Sequence, residues 1–581
     1  MPSKSRTFKF GDFSLVSGER LLLRDGIEIT LRPKAFDTLI CLLEHNGQLI
    51  SRSELLDRLW PDTSVSESVI DHCISEIRKA LEDDPRNPRY LKTIPRVGYK
   101  FINAAEEVIP TIQEIKPATE SPPSWSIAVL PFANISTDPN NEFFCDGLSE
   151  ELINALTKVS ALRVVAHSSS FAFKGGNIDA REIGRQLNVA TILEGSVRRT
   201  GNRLRISAQL IDTAEGYHLW SEQYDRALED VFIIQDEISD MILDTLKVEW
   251  IKPKEKDLKR RPTDNMEAYQ LYLRGRTFWH RRFEGFMQKA MECFEQAILK
   301  DPQFALAITG LADTYSILGI WGWLPPNEVF PKAAALVRDA LDIDNNLAEG
   351  HASQGLIHTF YDWDWEAAEK QFQRSIALNP GCALTHLWNG HYLSIIGRDD
   401  EAIAAMRKAY NLDPMSSVTG PNLGWTLFYA SENDQAIEVF QKVLEVDPHN
   451  SMACLYLGHV LAYSGEFDEA IEMYQEAMRL SGKMPWCDEF IGWIYGLQGK
   501  GNKARCILRE AKSRVEKKQY VPTAALAFIH LGLGDTDEFF RLLDRAVEER
   551  DALLIWFKYF PNFKQLHSDP RFSSLIHRLG L

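Results

Sequence analysis

From Phe8 to Leu31 the apolar residues come in short runs, broken by turn signals at Ser17-Gly18 and Asp25-Gly26. That pattern predicts short strands. From Pro33 the period changes. Phe36, Leu39, Ile40 and Leu43 share one face of a first helix, and Leu55, Leu56, Leu59 and Trp60 one face of a second. Ile70, Ile74, Ile77 and Leu81 form the apolar stripe of a third. Ser51-x-x-Glu54 has the form of a capping box for the second helix, and Ser64-x-x-Glu67 for the third. Tyr90–Ile94 and Gly98–Phe101 then predict a hairpin. A rotation of about 100° per residue puts Ser68, His72, Ser75 and Lys79 opposite the stripe of the third helix, with Glu76 beside them. The stripe is needed for a core, so the polar line is free to touch something else.

After a Glu-, Pro- and Ser-rich stretch, SIAVLPFANIS reads as a buried strand. Gly147–Val159 is an amphipathic helix with Leu148, Leu152, Ile153 and Leu156 on one side. A strand (LRVVA), a helix (REIGRQLNV) and a hairpin meander turning at Thr200-Gly201-Asn202 follow. This predicts a small α/β domain with no catalytic signature.

The rest of the chain repeats. Gly390, Gly424, Gly458 and Gly492 fall 34 residues apart, and Ala402, Ala436, Ala470 and Ala504 keep the same step. Pro380, Pro414 and Pro448 follow it, and a large apolar column (Met406, Phe440, Tyr474, Leu508) stands between. Small residues let two helices approach, and proline ends a helix. This spacing resembles the tetratricopeptide repeat, an all-α solenoid. The resemblance is strong over 346–516 and looser upstream. Tyr520–Arg550 reads as one more helix pair, and HSDPRFSSLIHRLGL as a cap. Trp363, Trp365, Trp388, Trp425 and Trp493 read as core or groove packing. His386 and His391, five apart, do not share a helix face as metal ligands would.

The expected boundaries are 1–104, a linker 105–124, a middle domain 125–251, a charged linker 252–264 and repeats over 265–581. Eight dispersed cysteines, none in a C-x-x-C pair, fit buried thiols in a reducing cytoplasm rather than disulfides or zinc. No run of about 18 apolar residues occurs, so no membrane span is expected. Neither a cofactor nor a metal is called for, and the absence of phosphate-binding, zincin or nucleophile-elbow motifs argues against an enzyme. The net charge of −17 is unevenly spread. Residues 1–105 hold 16 Lys+Arg against 15 Asp+Glu, and Arg86–Phe101 carries five cations and no anion. Local fields, not the total, govern contact with a polyanion.

Strands, three helices and a terminal hairpin, with RPKAFDTLICLLEHNGQLISRSELLDRLWPD, VIDHCISEIRKALEDDPRNPRYLKTI and VGYKF in order, resemble the OmpR/PhoB-type winged-helix DNA-binding domain over about 8–102. The resemblance implies that the third helix enters the major groove of double-stranded promoter DNA and the wing lies by the minor groove. Carried over by position, Trp60, Ser68, Cys73, Ser75 and Arg78 fall where the family meets phosphates. Val69, His72 and Glu76 fall where it reaches base edges. Thr93 matches the wing threonine, while Pro95 takes the wing arginine position with Arg96 beside it. Lys79, Lys92 and Lys100 complete the expected interface. Positions usually held by Arg are Ser68, Ser75 and Glu76 here, which implies fewer phosphate ion pairs. Glu76 has two readings: accepting from a cytosine amino group, or pairing with Arg78 or Lys79.

IAVLPF, the GLSEEL helix, ILEGSVRR and LWSEQYDR resemble the TolB N-terminal-like or FlgO-like domain. The order of parts is similar to regulators of the CadC/ToxR/HilA kind. It implies a transcriptional regulator, controlled by a protein or ligand on the concave face of the repeats and acting as a dimer or in tandem on DNA. The family belongs to phosphorelay signalling, but no receiver precedes this winged helix, so phosphorylation within the chain is not expected. The rival reading is a protein-assembly scaffold whose winged helix has no role on DNA.

Overall fold

The structure is a computed structural model. It describes residues 7–10, 13–16, 21–24, 27–29, 31–44, 49–59, 68–81, 83–85, 88–94, 97–102, 106–108, 123, 125–136, 141–176, 178–247, 262–282, 284–481, 486–558 and 566–581. The chain divides into two compact units, Met1–Thr119 and Glu120–Leu581.

In the first unit, β1 (Thr7–Phe10), β2 (Phe13–Val16), β3 (Leu21–Arg24) and β4 (Ile27–Ile29) form an antiparallel meander. Helix α1 (Pro33–Glu44) opens on proline, which needs no N–H partner in a first turn. A strand that the periodicity did not announce, β5 (Leu49–Ser51), precedes α2 (Arg52–Leu59) and α3 (Ser68–Leu81). The wing is β6 (Leu91–Ile94) against β7 (Gly98–Phe101), and β7 also pairs with β5, giving the order β5-β7-β6. The expected linker 105–124 is corrected in part: β8 (Glu106–Val108) pairs with β1 and extends the meander. EEV is acidic and short, so it reads as connector until a neighbouring strand supplies its hydrogen bonds.

The predicted stripes make the core. Ile70, Ile74, Ile77 and Leu81 are each at most 2% exposed, and Phe36, Leu39, Leu43 and Leu55 are buried with them. Phe10, Phe13, Tyr90 and Phe101 close the other side, with Phe10 and Phe101 edge to face at 5.2 Å. The capping box forms reciprocally: Ser51 N–H donates to Glu54 Oε2 (2.9 Å) and Glu54 N–H to Ser51 Oγ (3.2 Å). The second box, at Ser64, lies outside the described residues.

The second unit begins with β9 (Ser126–Val129), β10 (Ala133–Asn134), α4 (Asn141–Thr157), β11 (Arg163–Val164), α5 (His167–Phe171) and α6 (Ala180–Leu187). The meander β12 (Thr191–Thr200), β13 (Arg203–Asp212) and β14 (His218–Ala227) follows, and α7 (Val231–Thr245) closes the domain. The sheet order is β11-β9-β12-β13-β14, with β10 also on β12. Its β11, β9 and β12 run parallel and its meander antiparallel.

Helix pairs make up the remainder. They are α8 (Met266–Trp279) with α9 (Glu284–Lys300), α10 (Ala305–Ile320) with α11 (Pro326–Ile343), and α12 (Ala348–Ile357) with α13 (Trp365–Leu378). Next come α14 (Ala383–Ile395) with α15 (Asp399–Leu412), α16 (Thr419–Tyr429) with α17 (Asn433–Val446), and α18 (Ser451–Ser464) with α19 (Phe467–Ser481). The last are α20 (Cys487–Leu497) with α21 (Gly501–Glu516) and α22 (Thr523–Gly532) with α23 (Thr536–Glu548), followed by α24 (Pro570–Arg578). The glycine column is explained by contact. A Cβ at Gly390, Gly424 or Gly458 would come within 2.8 Å of Met406, Phe440 or Tyr474, the large apolar column. The expected cap packs on α23, with Arg578 bridging to Asp544 at 2.5 Å, and the chain end also reaches back to accept from Trp365 Nε1 at 3.1 Å.

The middle domain and the repeats, expected as separate domains joined by a linker, form one unit. Residues 262–264 already pack with the repeats, where Thr263 bonds to Asp301. Across the junction, the Ser169 hydroxyl donates to Asp413 (2.6 Å), Arg163 to the Asn411 carbonyl (2.7 Å) and the Gly381 amide to the Thr157 carbonyl (3.1 Å). At its centre Glu150 on α4 meets Arg276 Nε at 2.9 Å and His280 Nε2 at 3.3 Å, both on the α8 side. Glu150, His167 and His280 bring potential ligand atoms within 4.8 Å of one another. They do not fit a metal. The imidazoles stack 8° from parallel at 4.1 Å, so no ion lies in both ring planes, and the Arg276 guanidinium already holds the carboxylate. Among the described residues no helix is long and apolar enough to cross a membrane.

Asp313 on α10, 4% exposed, accepts from the Ser353 hydroxyl. Burial outweighs that bond and the nearby Arg276 and Arg282, and pushes its carboxyl up to about 7. A raised folded pKa means that the folded state holds the proton between about 4 and 7 while the unfolded chain has lost it. Stability from this group therefore falls as pH rises through that window, and the cost is complete above about 7. Asp313→Asn is expected to stabilise the protein at pH about 8 by on the order of 2–4 kcal/mol, at roughly 1.36 kcal/mol per pK unit. It is expected to change little near pH 4. Thermal unfolding at both pH values checks this; an equal shift at both removes the assignment.

Candidate nucleic-acid interface

The third helix is held to the wing by side chains that the sequence pattern did not connect. Arg52, at the start of α2, bonds Asp71 (2.9 Å) and the Tyr99 hydroxyl (3.0 Å), and that hydroxyl donates to Asp71. The Tyr99 bond, more than the Arg52 charge, holds the Asp71 carboxyl below its ordinary range. Burial pushes the Tyr99 phenol up to about 12, so it stays a donor. Arg78 donates to the Leu91 carbonyl (2.9 Å) and to Thr93 Oγ1 (2.8 Å), tying the last turn of α3 to β6. Asp83 accepts from the backbone N–H groups of Arg89, Tyr90 and Leu91 (2.6, 3.1 and 3.0 Å) and fixes the entry to the wing.

His72, Ser75 and Lys79 are exposed on α3, opposite the buried stripe. Val69 is half-buried on the first turn. Ser75, Arg78, Lys79 and Thr93 line one open cleft between the helix and the wing. Lys92 and Lys100 are directly paired across the hairpin, as are Thr93 and Tyr99. Successive side chains on a strand point to opposite faces. The hairpin therefore turns Thr93 toward α3 and its two lysines the other way. Like charges directly opposite on a ladder repel. Neither Lys92 nor Lys100, nor Lys79, forms an ion pair among the described residues.

Several sequence expectations change. Glu76 pairs with neither Arg78 nor Lys79: it accepts from the Arg32 backbone N–H at 2.7 Å and meets the Arg32 side chain at 3.6 Å. Cys73 is buried, 7% exposed, against the core and does not stand at a phosphate. Arg78 spends its Nη2 donor on the wing, so it positions β6. Trp60 and Arg96 lie outside the described residues, as does the side chain of Ser68. Arg32, Arg52, Asp71 and Tyr99 were missed, because their partners lie 19 to 47 residues away and no period links them.

Comparison with known families agrees with this geometry. Residues 26–101 match the family described as "Transcriptional regulatory protein, C terminal", 123–241 the "HilA/YgeH-like transcriptional regulator, second domain", and 422–485 the "Tetratricopeptide repeat". The chain joins an OmpR/PhoB-type winged helix, a HilA-like second domain and tetratricopeptide repeats. The middle segment thus matches the HilA-type second domain, as the order of parts similar to HilA-kind regulators leads one to expect. Among relatives, transcriptional regulator HilA of Salmonella typhimurium is 23% identical over 435 residues, 74% of each chain. A Rhizobium meliloti protein provisionally named adenylate cyclase 3 is 39% identical over 246 residues, 42% of this chain and 41% of that protein. The solved DNA-binding domain of Escherichia coli CadC is 30% identical, matched over 18% of this chain and 99% of its own, with a TM-score of 0.17.

Proposed function

We propose that the chain is a sequence-specific DNA-binding transcriptional regulator. Helix α3 docks in the major groove through Ser68, Val69, His72, Ser75 and Lys79, with Trp60 beside the backbone. The wing follows the phosphates through Lys92, Thr93, Arg96 and Lys100. Arg78 and Glu76 hold the helix to its surroundings. The observation that carries this reading is three lysines without carboxylate partners among the described residues: Lys79 and Lys92 exposed and Lys100 half-buried, the last two face to face on the hairpin. A polyanion relieves that repulsion, and the net charge of −17 over the whole chain keeps other surfaces off DNA. The repeats take the protein or ligand that controls the regulator, and two copies on tandem half-sites compensate for the few cations of one module.

Capture of genomic fragments by the purified full chain, followed by anisotropy titrations on the enriched sites, tests this. Lys79→Ala is expected to weaken binding to all sites alike and to lower the slope of log K against log salt by about 1. An unchanged slope, or no fragment enriched over bulk DNA, would end the proposal in favour of a scaffold role.

A further inference from the structure

The first helices of successive repeat pairs face one another around Trp556 and Phe557 of their own chain. Trp556 meets Trp425 edge-on at 6.1 Å and Tyr429 at 5.2 Å, and its carbonyl accepts from the Tyr429 hydroxyl at 3.0 Å. Phe557 lies edge-on to Phe528 at 5.4 Å. The cavity left there is about 100 Å³. That is less than the roughly 150 Å³ that holds benzene. A protein partner of the repeats therefore has to meet another side.

An open side lies between the second helices of the last two pairs. Gly496 and Gly532 bring α20 and α22 together backbone to backbone, since a Cβ on either would stand within 2.4 Å of the other helix's main chain. Helices α21 and α23 do not close over them. A groove of about 530 Å³ lies between, floored by Leu508, Val515, Leu526 and Leu542. Val515 is 45% exposed there. The Tyr520 hydroxyl is buried on the same lining without a hydrogen-bond partner. Burial, with Asp551 and Glu549 adding to it, raises its proton affinity, so it remains a donor.

The two walls differ in charge. In a chain of net charge −17, Lys500–Lys518 carries eight cations and two anions. Arg505, Arg509 and Lys512, spaced four and three apart, form one exposed line along α21, with Glu516 next on it. None of the three cations forms an ion pair among the described residues. Glu538, across the groove, feels Lys512, but both its oxygens are already held by Arg541 at 2.6 Å. Arg545 is likewise held by Glu549 at 2.7 Å. So α23 presents charges that are paired, and α21 presents cations that are not.

We propose that this groove takes an acidic amphipathic helical segment of a protein partner. Its apolar face lies on Leu508, Leu526 and Leu542, the usual way a helix enters a groove. Its carboxylates meet Arg505, Arg509 and Lys512, and a main-chain carbonyl at its end accepts from Tyr520. A neutral segment would leave the cations unanswered. A nucleic acid would answer the cations but offers its phosphates nothing on an apolar floor. The rest of the chain repels an acidic partner, so the attraction is confined to this helix. The proposal gives a place to the protein that the repeats take in the reading above, and it rests on that reading.

Random peptides displayed on phage are selected against the full chain, and the most enriched one is titrated by anisotropy. The enriched peptides are expected to be rich in Asp and Glu, with apolar residues three and four apart. Affinity is expected to fall at least about tenfold in the double variant Arg509→Glu with Lys512→Glu, where like charges now face each other. Val515→Asp is expected to weaken binding as well, because it puts a charge on the floor. All three positions are exposed, so the variants keep the fold. Enriched peptides without acidic residues, or no saturable peptide at all, overturn the proposal. A peptide that binds the double variant equally well removes this groove while leaving the repeats as the partner-binding part. If the double variant instead loses affinity for duplex DNA alone, α21 is a nucleic-acid contact and the proposal falls. The peptide titrations contain no DNA, so they stand or fall apart from the DNA-binding reading.

Discussion

Replacing Arg276 by methionine is expected to lower the stability of the unit spanning 120–581 by about 3–5 kcal/mol, the cost of stranding a buried charge. Glu150 is the charge stranded. It is 3% exposed, and Arg276 approaches its Oε1 at 2.9 Å. Burial opposes its ionisation, yet Arg276 and the His280 bond together hold its carboxyl well below the ordinary range. The depressed pKa means that the stability from this pair is present above about 4.5, the unfolded value, and is lost as pH falls further. His280 does not replace the lost cation, because burial keeps its imidazole largely neutral. The double replacement Arg276→Met with Glu150→Met is expected to recover most of the loss, since two well-packed apolar groups need no partner. A double mutant as unstable as the single one would show that packing of Arg276, rather than its charge, holds the junction. Because the pair joins α4 to α8, the loss is expected in the same thermal transition for the middle domain and the repeats.

That junction also shows what could be read from residues alone. Periods are local, and every element with a clear period was legible: the stripe of α3, the hairpin of the wing, and the 34-residue step whose glycines touch Met406, Phe440 and Tyr474. The capping box at Ser51 was legible because its partners are three residues apart. What escaped depends on side chains meeting across long separations. Glu150 and Arg276 are 126 residues apart, and Glu76 and Arg32 are 44 apart. A charged stretch such as KPKEKDLKRR reads as a connector between independent domains, and nothing in its composition says that the domains it joins lie against one another. The exposed face of α3 was found because its polar line is the complement of a buried stripe. The roles of Arg78 and Glu76 on that helix were not, because their partners sit on β6 and before α1. The tryptophans of the repeats were read as packing, and Trp388 and Trp425 are buried. That they also wall one cavity follows only once the neighbouring helices are in place.

Gly98→Ala is expected to abolish DNA binding while leaving the unfolding of the 120–581 unit unchanged. Gly98 opens β7, opposite Ser51 on β5 and Ile94 on β6. A Cβ there would stand 1.9 Å from the Ile50 carbonyl oxygen, 2.8 Å from its carbon and 2.9 Å from Ser51 Cα. All three are backbone atoms, so no side chain can swing aside. One strand must move, and the choice is between the ladder of β5 with β7 and the turn of the wing. The cost is expected to exceed the roughly 1–3 kcal/mol of ordinary overpacking, because a main-chain hydrogen-bond ladder is displaced rather than a rotamer. Either movement shifts Tyr99, the next residue, away from Asp71 and Arg52, and so breaks one of the two ties between α3 and the wing, leaving only the bonds of Arg78 to β6. The lysines that would meet phosphate, Lys92 and Lys100, are carried on the same two strands. Anisotropy on an enriched site measures the first effect and a thermal melt of the full chain the second. Retained affinity in Gly98→Ala would mean that the wing is not needed on DNA, and that α3 alone carries the contact.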